Sequence, residues 1–384
     1  DPALVEWTKI PYSVVASAEH DALATEMARK SMVLLQNKNN VLPLQANGLT
    51  VAVVGPNAND SVMQWANYNG TPARTITILQ GIKNAVGEEN VIYEEGCAWV
   101  ADTLNGRKIN PQAIAQRVQS ADVIIFVGGI TPRLEGEEMR VNWPGFRGGD
   151  RTDIELPAIQ RQVVAALHNT GKPVVFVNCS GSALGLVPET ETCDAILQAW
   201  YPGQSGGTAV ADILFGKYNP AGRLPVTFYK NISQLPDFEN YDMKGHTYRY
   251  NAETPLFPFG YGLSYTTFDY GVATFNMENP KAGQEIVLTV PVTNSGDRDG
   301  EEVVQVYLKK ANDLEGPIKT LRAFKRVVIP AGQTLQVEIP LTSQQLEWWN
   351  ADTNTMHTGA GLFEVMVGGS SRDSDLKRYE LSLL

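Results

Sequence analysis

The chain has 384 residues, 43% of them hydrophobic, with 31 basic against 42 acidic side chains. That balance excludes a disordered or fibrous protein and allows at least two buried cores. No Lys/Arg run is long enough to track phosphates and no apolar run approaches the roughly 20 residues of a spanning helix, so nucleic acid and membrane are poor partners.

No signal peptide opens the chain, and Asp1-Pro2 without an initiator Met reads as the start of a truncated, processed or mature product. Residues 1–19 are expected to be a linker. Residues 20–225 alternate helical patterns with short, wholly apolar runs: TVAVVG (50–55), DVIIFVGG (122–129), PVVFVNCSG (173–181) and AILQAWYPG (195–203). Such runs are what a mostly parallel sheet buried on both faces requires, so an α/β domain with crossover helices is predicted. One crossover helix is expected to place Leu156, Ile159, Val163 and Leu167 on a single stripe. Residues 226–268 are rich in Pro and aromatics without either period and read as an irregular connection.

From residue 269 to 384 the period becomes two. Ile286, Leu288, Val290 and Val292 share one face, as do Leu335, Val337, Ile339 and Leu341, and then Phe363, Val365 and Val367. Turn chemistry at NSGDRDG (294–300) and PAG (330–332) separates these strands, which predicts an all-β sandwich of immunoglobulin or fibronectin type III character.

Ligands of open α/β sheets bind beyond the carboxyl ends of the strands, so the loops after Gly55, Gly129, Ser180 and Tyr201 are the places to search. GPNAND lacks both GxGxxG and a GK[ST] ending, which argues against a nucleotide. Cys97, Cys179 and Cys193 are too scattered for a disulfide framework and read as buried small hydrophobes. His20, His168, His246 and His357 form no ligand pair, so neither a metal nor an organic cofactor is expected.

The loop from Ile130 to Asp150 is exceptional. It gathers Glu135, Glu137 and Glu138 with Arg133, Arg140, Arg147, Trp143 and Phe146. Aromatic rings stack on pyranose faces, and a carboxyl near another carboxylate or in a dry pocket holds its proton more tightly, as a general acid must. A charged loop is also ordinary solvated surface. Trp143 and Phe146 could line a sugar subsite or pin the loop. Asp150 with Arg151 reads as a structural ion pair or helix-start charge, and Trp65 and Tyr68 read as loop packing.

MARKSMVLLQNKNNVLPL (27–44), NYNGTPARTITILQGI (67–82), GGDRTDIELPAIQRQVVAAL (148–167), WYPGQSGGTAVADILFGKYNPAGRLPVTFY (200–229) and FPFGYGLSYTTF (257–268) resemble successive stretches of family-three glycoside hydrolases. VTNSGDRDGEEVVQVYL and TLRAFKRVVIPAGQT are similar to that family's fibronectin type III-like domain. The resemblance implies a retaining exo-β-glycosidase without cofactor. In it, an Asp nucleophile comes from an N-terminal TIM-like barrel absent from this chain, and the acid/base Glu comes from the α/β domain. Aligning EEM with an EGY-like tripeptide points to Glu137, whereas an ExE form of the motif points to Glu135. Trp143, Phe146 and Arg133 are the candidate substrate contacts. LEGEEM and NYNGTP look more like the β-xylosidase and arabinosidase branch than the broad β-glucosidase branch, which implies a β-xylosidase with β-glucosidase as the alternative. The implied partners are a glycoside or oligosaccharide and the barrel, without which the chain is expected to be inactive. Few cysteines and a sugar substrate suit a periplasmic or extracellular protein. The competing reading is a non-catalytic carbohydrate-binding or structural module.

Overall fold

A computed structural model describes residues 1–350 and 352–384. The chain forms two units, one of Asp1–Met32, Gln36–Ser182 and Pro188–Tyr218, the other of Val33–Leu35, Ala183–Val187 and Asn219–Leu384. The fold is an α/β domain with a mostly parallel sheet, then a fibronectin type III-like β-sandwich.

In the first unit lie five strands of a six-stranded sheet: β1 (Val51–Val54), β2 (Val91–Glu94), β3 (Val123–Gly129), β4 (Val174–Cys179) and β5 (Ala195–Gln198). Their spatial order is β5-β4-β3-β1-β2, and each registered pair is parallel. The four expected apolar runs are β1, β3, β4 and β5, and every residue in them is buried. Edge strand β2 is only partly covered, so its sequence VIYE carries no continuous apolar signal. The crossover helix begins at Ala158, with Pro157 as its N-cap. Ile159, Val163 and Leu167 are on it and buried, whereas Leu156, expected on the same stripe, is buried ahead of the helix.

Helices Ile78–Val86 and Gly206–Leu214 touch backbone to backbone. A Cβ at Gly81 would lie 1.9 Å from the Gly207 carbonyl oxygen, and one at Gly207 would lie 1.9 Å from the Thr77 carbonyl oxygen. Neither neighbour is a flexible side-chain tip. Gly81→Ala is therefore expected to cost about 3 kcal/mol, the upper end of ordinary overpacking. Thermal denaturation checks this, and an unchanged melting temperature would show that the helices separate freely.

In the second unit, residues 219–267 are irregular apart from the short turns Ile232–Gln234 and Thr247–Tyr250. The sandwich follows: β6 (Phe268–Tyr270), β7 (Thr274–Phe275), β8 (Ile286–Asn294), β9 (Gly300–Lys310), β10 (Thr320–Ile329), β11 (Thr334–Leu341), β12 (Gly361–Gly368) and β13 (Leu376–Leu383). One sheet is β6-β8-β7 with β11 also on β8, and the other is β10-β9-β12-β13. Strand β8 alternates buried and half-buried residues along its whole length, and its inward Ile286, Leu288, Val290 and Val292 join Val337, Ile339, Leu341, Phe363, Val365 and Val367 in one core. Leu335 keeps the inward parity opposite Val292, yet it is 39% exposed because it opens β11 at the end of the sheet. Among the described residues no helix is long and apolar enough to cross a membrane.

Candidate active site

From β1 the chain runs to β2 on one side, then crosses to β3 on the other and continues outward to β4 and β5. The loops after β1 and β3 thus part at the point where strand order reverses, the usual ligand crevice of an open α/β sheet. Buried polar side chains hold both loop bases. Asn57 donates through Nδ2 to the Ile130 carbonyl at 3.1 Å and accepts from Trp99 Nε1 at 2.6 Å. Gln160 accepts from the Gly129 N–H at 2.8 Å and donates to the carbonyls of Gly129 and Trp99 at 2.7 and 2.9 Å. Backbone groups that leave the sheet here are therefore satisfied without water.

The long loop after β3 is folded on itself. Leu134 N–H bonds to Thr131 O at 2.9 Å, Gly136 N–H to Gly149 O at 2.9 Å, and Met139 N–H to Gly148 O at 3.0 Å. Asn142–Trp143, Phe146–Arg147 and Asp150–Arg151 form a three-stranded antiparallel sheet. Phe146, only 2% exposed, anchors it, while Trp143 on the neighbouring strand is 47% exposed.

This folding brings Arg151 back to Glu135. The Glu135 carboxyl is half-buried and accepts from Ser182 Oγ at 3.4 and 3.3 Å. Ser182 in turn accepts from Arg151 Nη1 at 3.0 Å, and Arg151 Nε donates to the Asp153 carbonyl at 3.1 Å. Gly181 passes close to the same carboxyl: a Cβ there would stand 3.0 Å from the Tyr201 ring and 3.6 Å from Glu135 Oε1. Burial pushes the Glu135 proton affinity up, and the Arg151 charge and Ser182 hydroxyl pull it part of the way down. Burial, reinforced by Glu135, also pushes the Tyr201 phenol up, so it stays neutral beside the carboxyl.

The other candidates stand in different surroundings. Glu137 is exposed and accepts from the hydroxyl of Tyr68, itself 86% exposed, at 2.5 Å. Glu138 is exposed with φ of 48°. Arg133 makes a two-pronged pair with Asp60 at 2.5 and 3.3 Å and lies over the Trp99 ring at 5.1 Å, which ties the loop after β3 to the loop after β1. Trp65 donates from Nε1 to Thr75 Oγ1 at 2.8 Å. Asp150 is exposed, whereas Arg151 is drawn in beside Ser182.

Residues 32–265 match the glycosyl hydrolase family 3 C-terminal domain, and residues 302–371 match the fibronectin type III-like domain. The chain belongs to glycosyl hydrolase family 3. It is 39% identical to a xylan 1,4-beta-xylosidase of Xylanibacter ruminicola, with all of this chain and 60% of that protein covered. It is 34% identical to a periplasmic beta-glucosidase of Salmonella typhimurium, over 94% of this chain and 50% of that one. A solved b-glucosidase from Erythrobacter marinus superposes with a TM-score of 0.83 at 34% identity, covering 97% of this chain and 51% of the other. This family 3 chain thus spans about half to three fifths of the length of the relatives it matches.

Three further residues stand around Glu135 in this family 3 domain: Gly181 and Tyr201, which belong to two of the quoted runs, and Ser182, which no motif singled out. Their signal is positional, since they lie in the loops that follow β4 and β5, where a parallel sheet collects its site.

Proposed function

We propose that this chain is the part of a retaining exo-β-glycosidase that supplies the acid/base carboxyl, and that Glu135, rather than Glu137, is that carboxyl. The observation that carries this reading is the burial of Glu135. Its proton affinity is raised by burial and trimmed by Arg151 and Ser182, as suits a group that gives up a proton and takes it back. Glu137 lies in water against an exposed phenol. The resemblance to family-three enzymes implies that the attacking carboxylate comes from an N-terminal barrel, and without it the chain is expected to be inactive.

The substrate is a terminal β-linked sugar, with β-xylosides favoured over β-glucosides. Support comes from the 39% identity to a relative named a xylosidase, beside the motifs LEGEEM and NYNGTP. Trp143 offers a half-exposed ring as a sugar platform, Phe146 fixes the strand beside it, and Arg133 braces the loop. A periplasmic or extracellular site of action agrees with the relative named periplasmic.

Assembled with a family barrel, the chain is expected to hydrolyse nitrophenyl β-xyloside faster than nitrophenyl β-glucoside. Activity should fall in Glu135→Gln and persist within a few-fold in Glu137→Gln. The reverse pattern assigns the acid/base to Glu137. Trp143→Ala is expected to raise KM for a xylo-oligosaccharide about tenfold, since stacking on an aromatic platform is worth roughly 1–3 kcal/mol by the analogy of base stacking. An unchanged KM assigns Trp143 to the loop alone.

A further inference from the structure

Burial favours the protonated form of Glu135, whereas a group that works in both directions also needs its carboxylate supported. The structure sets one hydroxyl against that tendency. Ser182 Oγ is within 3.4 and 3.3 Å of both Glu135 carboxyl oxygens and 3.0 Å from Arg151 Nη1. A guanidinium N–H can only donate, so Ser182 accepts from Arg151 and keeps its single hydrogen available for the Glu135 carboxylate. The guanidinium is itself oriented by the Asp153 carbonyl at Nε.

We propose that Ser182 is a positioning residue for the acid/base: anchored by Arg151 through an oxygen lone pair, its hydroxyl donates to the Glu135 carboxylate and steadies that form of the group. This rests on the reading of Glu135 as the acid/base. When the proton leaves, the same hydroxyl and the guanidinium behind it meet the new negative charge without reorganising. Ser182 does not conduct a proton, because Arg151 remains charged at any working pH and has none to give.

The groups facing the carboxyl come from three elements: Arg151 from the three-stranded sheet, Ser182 from the loop after β4, and Tyr201 from the loop after β5. Of these, Arg151 and Ser182 favour the carboxylate, while burial opposes it. Removing the hydroxyl therefore lets burial prevail. A threonine keeps the donor.

The test is a 13C titration of the chain labelled at the glutamate δ-carbon, with Glu135→Gln used to assign the signal. Ser182→Ala is expected to move the Glu135 titration upward by about one pH unit, and Ser182→Thr to return it close to wild type. In the enzyme assembled with its barrel, Ser182→Ala should move the falling limb of kcat/KM by the same amount and lower kcat more than it raises KM. Adding Ser182→Ala to Glu135→Gln should change nothing further. A titration that stays in place or moves down overturns the proposal while leaving Glu135 as the acid/base. If instead Glu135→Gln hydrolyses unactivated glycosides normally, the acid/base reading fails, and the role of Ser182 fails with it.

Discussion

Glu135→Gln is expected to reduce kcat on xylobiose or an alkyl xyloside by about 10³-fold, within the 10²–10⁴ that general acid–base catalysis contributes. That corresponds to about 4 kcal/mol of transition-state stabilisation. The loss should depend on the leaving group. A dinitrophenolate departs without being protonated, so the first step on a dinitrophenyl xyloside should keep most of its kcat/KM. Its second step still needs a base to activate water, so the covalent intermediate should accumulate as a burst with a low apparent KM. Azide attacks without a base and should restore turnover, leaving a β-glycosyl azide as product. Equal losses on activated and unactivated substrates, with no rescue, would assign Glu135 to substrate binding. The pH dependence has a definite sign. Burial, the largest influence on Glu135, raises its folded-state affinity for a proton above the unfolded value. The stabilising contribution is thus present below the unfolded pKa and lost as pH rises through the folded one. Above its folded-state pKa, wild type holds a half-buried carboxylate that Gln replaces with a neutral group, so Glu135→Gln should melt slightly higher than wild type there, with the gap closing as pH falls below it.

Fold and site were legible in the sequence to different depths, and the reason is physical. Strands β1, β3, β4 and β5 are buried on both faces, so each is apolar along most of its length, with Asn178 and Gln198 the buried polar exceptions toward the ends of β4 and β5, and β8 is covered on one face, so it had to alternate. Edge strand β2 is half wet and left no such trace. Leu156 continues an apolar spacing across Pro157, where the helix has not yet begun. The carboxylates of the loop after β3 were visible as a cluster, but burial is a tertiary property. Glu135 and Glu137 are two residues apart with similar neighbours in the chain, and what separates them is Ser182, 47 residues downstream, together with the return of Arg151 through the three-stranded sheet. Arg151 read as half of a structural ion pair or as a helix-start charge because only that folded return shows it facing inward.

A second large effect is expected far from any chemistry. In the second unit Arg223 Nη2 meets Glu302 Oε2 at 2.7 Å, with the two side chains only 9% and 4% exposed. Tyr270 donates its hydroxyl to the other carboxylate oxygen at 2.9 Å, and Arg223 Nη1 donates to the Gly222 carbonyl at 3.1 Å. Glu302 sits near the start of β9 and Tyr270 at the end of β6, so this polar cluster joins strands of the two sheets of the sandwich. Taken out of water, the two charges gain little net stability from each other, but removing one leaves the other buried and unmatched at a cost of about 3–5 kcal/mol. Arg223→Met should therefore lower the melting temperature by about 10 °C, using the 2–4 °C per kcal/mol of a domain this size. Arg223→Met with Glu302→Gln removes both charges, retains an acceptor for Tyr270, and should recover most of that loss. If the double variant is as unstable as the single one, the cost lies in lost packing of the Arg223 stem; if Arg223→Met melts with wild type, water reaches Glu302 and the pair is not a buried one in solution.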